Sequence, residues 1–215
     1  MPIRILIADD HAVVRDGLKM ILEASDDMHI VAMAADGREA VALAEKHRPD
    51  VIIMDISMPG LNGIEASRMI HEHQPEVKVL VLSMHHSIEH IYRALQAGAS
   101  GYLLKESAGS EVVTAVRTVL KGKRFYGKGV EQPLEERRRA GRDYMKSPLD
   151  SLSNREREVL QLVVEGSTSA RIAEMLLLSP KSVETYRSRL MLKLGVANIP
   201  TLVKFALEQG ITPSS

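Results

Sequence analysis

Four charged residues in the first half of the chain stand at the ends of three short apolar segments. They are Asp9, Asp10, Asp55 and Lys105. An apolar segment of this kind that ends in turn residues is typical of a strand buried in a parallel sheet, and open α/β sheets bind ligands at the carboxyl edge of their strands. We therefore predict that the four side chains meet at one edge of a sheet, although Asp55 taken alone would be interpreted as a cap for the next helix.

Three carboxylates at one sheet edge disfavour one another's charged form. A hard divalent cation removes this conflict, because carboxylate oxygens are ligands that Mg²⁺ prefers. Lys105 adds a mobile positive charge. Phosphoryl transfer depends on positioning and charge neutralisation more than on covalent machinery, so this set of groups is suited to hold a phosphoryl group on Asp55.

The order and spacing of these residues, with two further polar residues, resemble the receiver domain of two-component response regulators over residues 1–121. The residues that carry the resemblance are Asp9, Asp10, Asp55, Ser83, Tyr102 and Lys105. The resemblance implies that Asp55 accepts a phosphoryl group from a sensor histidine kinase and that Lys105 pairs with the phosphoryl oxygens. It also implies a Mg²⁺ (or Mn²⁺) site formed by Asp10 directly, Asp9 through water, Asp55, and the backbone carbonyl of Ser57.

Ser83 and Tyr102 carry a switch hypothesis. The Ser83 hydroxyl can reach a phosphoryl oxygen or simply cap the end of its strand. Phosphorylation adds charge and acceptor oxygens that can draw Ser83 inward, and the vacated space can admit the Tyr102 ring; alternatively, Tyr102 is a half-buried strand residue. Receivers commonly have Lys-Pro after the fifth strand, whereas Lys105 is followed by Glu106, so we expect a different loop geometry there.

Composition restricts the class of protein. A chain of 215 residues with 45% hydrophobic residues can form one large domain or two small ones. The absence of Cys excludes a disulfide, a thiolate metal site and a cysteine nucleophile. Neither a signal-peptide pattern nor an apolar run of the ~20 residues that a membrane span needs is present, so we expect a cytoplasmic protein with no membrane contact.

Charge is unevenly distributed although the formal net charge is zero. Residues 1–121 hold 12 basic and 17 acidic residues, and residues 122–147 hold 8 and 4. A zero total therefore does not exclude nucleic acid as a partner, because a local basic surface is sufficient.

Residues 1–121 alternate strand and helix patterns in five units, which is typical of a parallel sheet with helices on both faces. Strands are predicted at Ile3–Ala8, His29–Ala35, Val51–Met54, Val77–Leu82 and Gly101–Leu104, and helices at Ala12–Ala24, Arg38–His47, Ile64–His73, Ser87–Ala97 and Gly109–Leu120. The resemblance implies a flavodoxin-like (βα)5 receiver with strand order 2-1-3-4-5, which brings Asp10 and Asp55 to its switch point.

Residues 122–147 have no apolar face and are predicted to be a linker. A short polar helix is placed at Leu134–Met145. The run Arg137-Arg138-Arg139 is interpreted as a solvated face paired with nearby glutamates rather than as a nucleic-acid site.

Residues 148–215 show helical patterns throughout and are predicted to form a second, all-α domain. Ser153 and Glu156 have the spacing of a capping box, and Ser179-Pro180 is a helix start signal. Two short helices joined by a tight turn, the second polar on one side, indicate a helix-turn-helix. The predicted helices cover residues 154–165, 169–176, 180–194 and 198–209.

The segment Leu152–Val196 resembles the four-helix DNA-binding domain of the LuxR/NarL/FixJ regulators. Helical spacing predicts that Val183, Leu190 and Leu194 share one buried face. By resemblance the opposite face enters the major groove, and the residues that face base edges are Glu184, Thr185 and Ser188. Phosphate contacts are expected from Lys181, Ser182, Tyr186, Arg187 and Lys193, while Thr168 caps a helix, contacts phosphate, or both.

The sequence departs from the family pattern at two places in this segment. Ser169-Ala170-Arg171 stands where the family often has Asn-Lys-Glu, and Tyr186 stands where it often has His. The stripe on the last helix can be core or a dimer contact, and its residues are Leu202, Val203, Ala206 and Leu207.

The resulting hypothesis is a phosphorylation-controlled transcription regulator, not an enzyme beyond its own phosphoryl transfer and dephosphorylation. It would bind double-stranded DNA as a homodimer on paired half-sites. One alternative is an Mg-dependent aspartate phosphatase, although such enzymes usually need a second Asp where this chain has Ser57. Another is a regulator controlled by protein partners without phosphate. The histidines His71, His73, His85, His86 and His90 are interpreted as polar helix and loop residues rather than as a metal site.

Overall fold

The computed structural model describes residues 2–132, 134–135, 148–209 and 211. The chain divides into two compact units, one built on a parallel sheet and one built from helices. In the described part of the chain, no helix is by itself long and apolar enough to cross a membrane. Pro180–Leu194 and Ile199–Glu208 reach that length and composition only when taken together, with a bend of 59° between them.

The sheet of the first unit has the strand order β2-β1-β3-β4-β5-β6, with all neighbours parallel. The strands are β1 (Ile3–Ala8), β2 (Met28–Ala34), β3 (Val51–Asp55), β4 (Lys78–Ser83), β5 (Gly101–Leu104) and β6 (Phe125–Tyr126). The predicted order of the first five strands is confirmed. The sixth, β6, extends the sheet beside β5 and was not predicted.

Helices cover both faces of this sheet, as the alternating pattern predicts. They are α1 (Ala12–Glu23), α2 (Gly37–His47), α3 (Gly63–His73), α4 (Ile88–Gln96) and α5 (Ala108–Leu120). One buried cluster joins the sheet to α1 and α5, and another joins it to α2, α3 and α4. The central strand β3 is buried along its whole length. Burial on both faces explains why its sequence is an unbroken apolar run up to Asp55.

Strand register brings the charged strand ends together. Ala8 of β1 pairs with Met54 of β3, so Asp9 and Asp55 are the next residues on neighbouring strands. On the other side of β3, Asp55 pairs with Leu82, which precedes Ser83. The carboxyl edge of the sheet therefore carries these polar residues side by side.

The segment predicted as a linker is in part structured. β6 lies within residues 122–147 and pairs with Gly101 and Tyr102 of β5. The helix predicted at Leu134–Met145 lies outside the described residues from position 136 onward, and so does the arginine run at 137–139.

The second unit begins with a 3₁₀ turn at Pro148–Ser151, followed by four α-helices among the described residues. These are α6 (Asn154–Val164), α7 (Ser169–Leu176), α8 (Pro180–Leu194) and α9 (Ile199–Glu208). The capping box of α6 is confirmed: Ser153 and Glu156 each accept a hydrogen bond from the other's backbone N–H. Ser179 caps α8, with Pro180 at the first helical position.

The core of the second unit confirms the predicted inward face of α8. Val183 and Leu190 are fully buried, and Leu194 packs against the same cluster. The apolar stripe of α9 divides: Leu202 and Ala206 are buried core residues, whereas Leu207 is 46% exposed. Val203 is partly buried against the same core, so the fold of the unit explains every residue of the stripe except Leu207.

Candidate functional site

Three carboxylates converge at the carboxyl edge of the sheet. Asp9 and Asp55 are almost completely buried, and Asp10 is partly buried. One ligand atom from each of them, and one from His11, lie within 4.8 Å of one another. The chain order alone predicts this meeting, because β1 and β3 are neighbours in the sheet.

Lys105 supplies the positive charge of this cluster. Its Nζ lies 2.7 Å from Asp9 Oδ2 and 2.9 Å from Asp55 Oδ2. Burial alone would lower the pKa of Lys105, but the hydrogen bond to Asp9 and the charge of Asp55 raise it overall. The ammonium therefore stays charged between two carboxylates that would otherwise repel each other.

Asp55 is held in a position where its charge is costly. Burial and then the charge of Asp9 raise its pKa above the ordinary value, against the opposing effect of Lys105 and of the Ser57 backbone N–H. The start of α3 lies close to the backbone of Asp55: a Cβ added to Gly63 would come within 1.7 Å of the Asp55 carbonyl oxygen. Gly63 is thus required for the approach of α3 to the end of β3.

The donor set fits a hard divalent cation. Three carboxylates within ligand distance of one another, with the Lys105 ammonium beside them, are compatible with a divalent cation that binds oxygen ligands. His11 is an addition that sequence analysis did not identify. Its Nδ1 lies 2.7 Å from Asp10 Oδ1 and 3.3 Å from Asp9 Oδ1, and its ring is more than half exposed.

The hydroxyls predicted to switch are connected through His85. The His85 backbone N–H donates to Ser83 Oγ at 3.0 Å, and Tyr102 Oη donates to the His85 carbonyl at 2.8 Å. The Tyr102 ring is fully buried, and burial raises the pKa of its phenol well above the usual range. The alternative of a half-buried Tyr102 is therefore wrong, because the ring lies fully in the interior.

His85 also reaches the site with its side chain. Its Nε2 lies 3.2 Å from Ser57 Oγ, and its ring stacks on His90 with centroids 4.3 Å apart. Burial, followed by the charge of His86, lowers the pKa of His85, so the ring is neutral at neutral pH. The position of His85, two residues after Ser83, was the only sequence signal for this contact.

A second group of predicted residues lies on α8 and the turn before α7. Lys181, Glu184, Thr185 and Ser188 are exposed, as a groove-facing surface requires, whereas Ser182, Tyr186 and Arg187 are partly buried. Thr168 caps α7 by accepting from the Arg171 N–H, and its side chain is exposed as well. The structure therefore places Thr168 at the start of α7 and the other residues on α8.

Three of these side chains, those of Glu184, Arg187 and Lys193, have partners on another helix. Lys193 Nζ lies 2.7 Å from Glu156 Oε2 and also donates to the Ser151 carbonyl. Arg187 donates to Ser169 Oγ, which in turn donates to Glu184 Oε1. Sequence analysis did not identify these contacts, since each joins residues on different helices.

Each of the two units matches a known protein family. Residues 5–117 match the family model of the response regulator receiver domain, and residues 150–206 match that of bacterial regulatory proteins of the luxR family. The oxygen regulatory protein NreC of Staphylococcus epidermidis is 41% identical over 212 residues, which is 96% of this chain and 97% of the relative. NreC of Staphylococcus carnosus is also 41% identical, over 211 residues with the same coverage of each chain.

Solved structures are similar over one or both units. A two-component response regulator of the LuxR family from Aurantimonas has a TM-score of 0.62 and 36% identity, covering 64% of this chain and 99% of that one. The RcsB response regulator of Salmonella typhimurium has a TM-score of 0.57 and 30% identity over 96% of this chain and 98% of its own. An RcsB–DNA complex has a TM-score of 0.60 and 29% identity, with 97% and 99% covered.

Proposed function

The chain belongs to the two-component response regulators that carry a LuxR-type DNA-binding domain, and on this premise we propose that phosphorylation of Asp55 controls its binding to DNA. The observation that carries the proposal is the buried Asp55 carboxylate, 2.9 Å from Lys105 and beside Asp9. We assign residues 1–121 as the receiver domain, with β6 as an addition to its sheet, residues 122–147 as the linker, and residues 148–215 as the DNA-binding domain.

The phosphoryl donor is a phosphohistidine of a sensor kinase. A carboxylate oxygen of Asp55 attacks phosphorus, the P–N bond breaks as the new P–O bond forms, and the leaving imidazole takes a proton from solvent. Lys105, already within 2.9 Å of Asp55, pairs with the transferred phosphoryl oxygens. A divalent cation held by Asp9, Asp10, Asp55 and the Ser57 carbonyl supplies charge neutralisation when bound.

The switch begins at Ser83. A phosphoryl group on Asp55 offers new acceptor oxygens to the Ser83 hydroxyl, which now accepts from the His85 N–H. Because His85 also accepts from Tyr102, drawing Ser83 toward the phosphoryl group disturbs both bonds. The change reaches the start of α4, which follows His85 closely in the chain.

DNA binding is assigned to α8. Its exposed side chains Glu184, Thr185 and Ser188 face base edges, and the phosphate contacts are Thr168, Lys181, Ser182, Tyr186, Arg187 and Lys193. The similar RcsB structures include a complex with DNA and one of two dimers bound to two parallel DNAs. By analogy, we assign a homodimer on paired half-sites, with dimerisation or release of interdomain contacts as the step that phosphate promotes.

The test is intact-mass analysis of the full chain after incubation with Mg²⁺ and acetyl phosphate. We expect one phosphoryl adduct on the wild type and none on Asp55→Asn, accompanied by a shift toward dimer. Asp50→Asn is the matched control, because Asp50 is exposed and bonds the Arg4 backbone instead. If neither acetyl phosphate nor a histidine kinase gives an adduct, the regulator works through protein partners and Asp55 is structural. Turnover of an external phosphomonoester would instead indicate a phosphatase.

A further inference from the structure

The two helices of the helix-turn-helix are joined by a chain of polar contacts. Ser169 is the first residue of α7, and Glu184 and Arg187 lie on α8. Arg187 Nη1 donates to Ser169 Oγ, and Ser169 Oγ donates to Glu184 Oε1. The direct distance between Arg187 Nη1 and Glu184 Oε1 is 3.5 Å, so the serine hydroxyl stands between the two charges.

The chemistry of the three groups allows only one direction for these bonds. A guanidinium only donates, a carboxylate only accepts, and a hydroxyl has a single hydrogen. The Ser169 hydrogen therefore points to Glu184, and its lone pair receives Arg187. The Arg187 side chain is 17% exposed, whereas that of Glu184 is 61% exposed, so the donor end of these contacts is partly buried and the acceptor end faces solvent.

One oxygen of the Glu184 carboxylate remains able to accept a hydrogen bond from a ligand. Oε1 is occupied by Ser169, and Oε2 has no hydrogen-bond partner in the described part of the chain. If the hydroxyl were absent, the guanidinium of Arg187 could close on the carboxylate and engage both oxygens, which is the geometry that arginine and carboxylate prefer. The hydroxyl thus keeps the carboxylate available.

We propose that Ser169 is a positioning residue for base recognition, which holds the Glu184 carboxylate so that Oε2 accepts from one base-edge amino group, that of cytosine N4. The proposal rests on the assignment of α8 to the major groove under the proposed function. Cytosine presents only the N4 donor there, whereas adenine carries the N7 acceptor beside its N6 donor, and guanine and thymine present acceptor oxygens that a carboxylate repels. Ser169 itself does not touch DNA in this arrangement.

The experiment is a selection of sequences from randomised DNA duplexes by the full-length protein, carried out with and without acetyl phosphate. Wild type and Ser169→Ala are compared position by position. We expect a cytosine preference on the order of tenfold at one position of each half-site to fall to about twofold in Ser169→Ala, with the other positions unchanged. Ser169→Thr keeps a hydroxyl and is expected to restore the preference.

Two further variants separate positioning from a general effect. Ser167→Ala removes a hydroxyl from the same turn that has no partner among the described residues, and is expected to leave the preference intact. Glu184→Ala is expected to lose the same preference, and Ser169→Ala added to it is expected to cause no further loss at that position. An equal loss of cytosine preference in Glu184→Ala and in the double variant would show that Ser169 and Glu184 act on the same base.

The contradicting results are distinct from failure of the proposed function. If the wild type selects a sequence and Ser169→Ala selects the same one with the same preferences, the positioning role is wrong. A uniform loss of affinity with a salt dependence smaller by about one charge would overturn it too, because that pattern marks a phosphate contact. If the wild type selects no sequence under either condition, the assignment of α8 to base recognition fails and the inference falls with it.

Discussion

Tyr102 donates its phenol hydrogen to the backbone carbonyl of His85, at 2.8 Å, from a ring that is completely buried. The same residue, His85, gives its N–H to Ser83. The Ser83 hydroxyl at the carboxyl edge of the sheet and the Tyr102 phenol in the core are therefore connected through the backbone of one residue. The ring lies fully in the interior, so the switch that we propose consists of a change of hydrogen-bond partners rather than of entry of the ring.

Replacing Tyr102 by Phe tests this connection. The variant keeps the ring but loses the bond to His85, which is expected to lower the free energy of unfolding by about 1 kcal/mol. The phosphoryl adduct on Asp55 should still form, while the gain in DNA affinity on phosphorylation should shrink. Tyr126→Phe is the control, because Tyr126 is only partly buried on the edge strand β6. An unchanged gain in Tyr102→Phe would exclude the phenol from the switch.

Lys105→Met removes the cation between Asp9 and Asp55. Because two buried carboxylates then face each other, we expect the free energy of unfolding to fall by roughly 3 kcal/mol. Saturating Mg²⁺ should restore part of it, since a ligand that binds only the folded state stabilises it. Thermal unfolding with Mg²⁺ and with EDTA measures both effects, with the exposed Lys121→Met as control. Full stability of Lys105→Met in EDTA would contradict this account of the site.

The second unit should be acid-sensitive through Glu156. Burial would raise the pKa of this carboxyl, but Lys193 and the Ser153 N–H and hydroxyl lower it overall, below the reference value of 4.5. A depressed folded-state pKa means that the stabilisation is complete above the unfolded-state pKa and is lost as the pH falls through the folded-state value. Stability contributed by Glu156 should therefore disappear on acidification below about 4.5.

The contribution of Glu156 is measured by comparing wild type with Glu156→Gln. The free energy of unfolding of the full chain is determined in urea, with circular dichroism as the signal. At neutral pH the variant should be less stable than wild type by about 1–2 kcal/mol. The difference in the free energy of unfolding between variant and wild type should become smaller as the pH falls below 4.5. Glu174→Gln is the control, because Glu174 pairs with Arg171 on the exposed surface of α7, where such pairs contribute little. A difference that stays constant with pH would show that Glu156 acts by packing alone.

Leu177 occupies an unfavourable backbone position at the end of α7. Its φ is 53°, in the left-handed region, and its side chain is 93% exposed. Leu177→Asn should raise the free energy of unfolding by about 1 kcal/mol, because Asn adopts this conformation more readily. Leu192→Asn, also at an exposed leucine but within α8, should instead be neutral or slightly destabilising. If Leu192→Asn were the more stable of the two variants, the left-handed backbone of Leu177 would not be the cause of the effect.

Sequence patterns predicted the first five strands because each is an apolar run that ends in charge or turn residues. β6 could not be predicted in the same way. It has only two residues, Phe125 and Tyr126, in a segment rich in Gly and Lys. Its strand conformation comes from pairing with β5, and tertiary pairing of this kind leaves no periodic signal.

The same distinction applies to the site. Asp9, Asp55 and Lys105 could be placed together because strand ends meet at one edge of a parallel sheet. The approach of His85 to Ser57 spans 28 positions and depends on the path of a loop. The hydrogen bonds from Arg187 to Ser169 and from Ser169 to Glu184 depend on side-chain rotamers where two helices cross. Neither contact follows from spacing, because both are decided by packing between elements.

The central claim is that phosphate on Asp55 and DNA on α8 favour each other. The most direct measurement is the affinity of the full chain for a selected DNA duplex, at fixed salt, with and without acetyl phosphate, beside Asp55→Asn. We predict that phosphorylation raises the affinity of the wild type by about fivefold or more, and that Asp55→Asn shows no response. Linkage requires DNA to stabilise the phosphorylated form by the same factor at equilibrium. Equal affinities of the phosphorylated and unphosphorylated wild type, with the adduct verified by mass, would contradict the account.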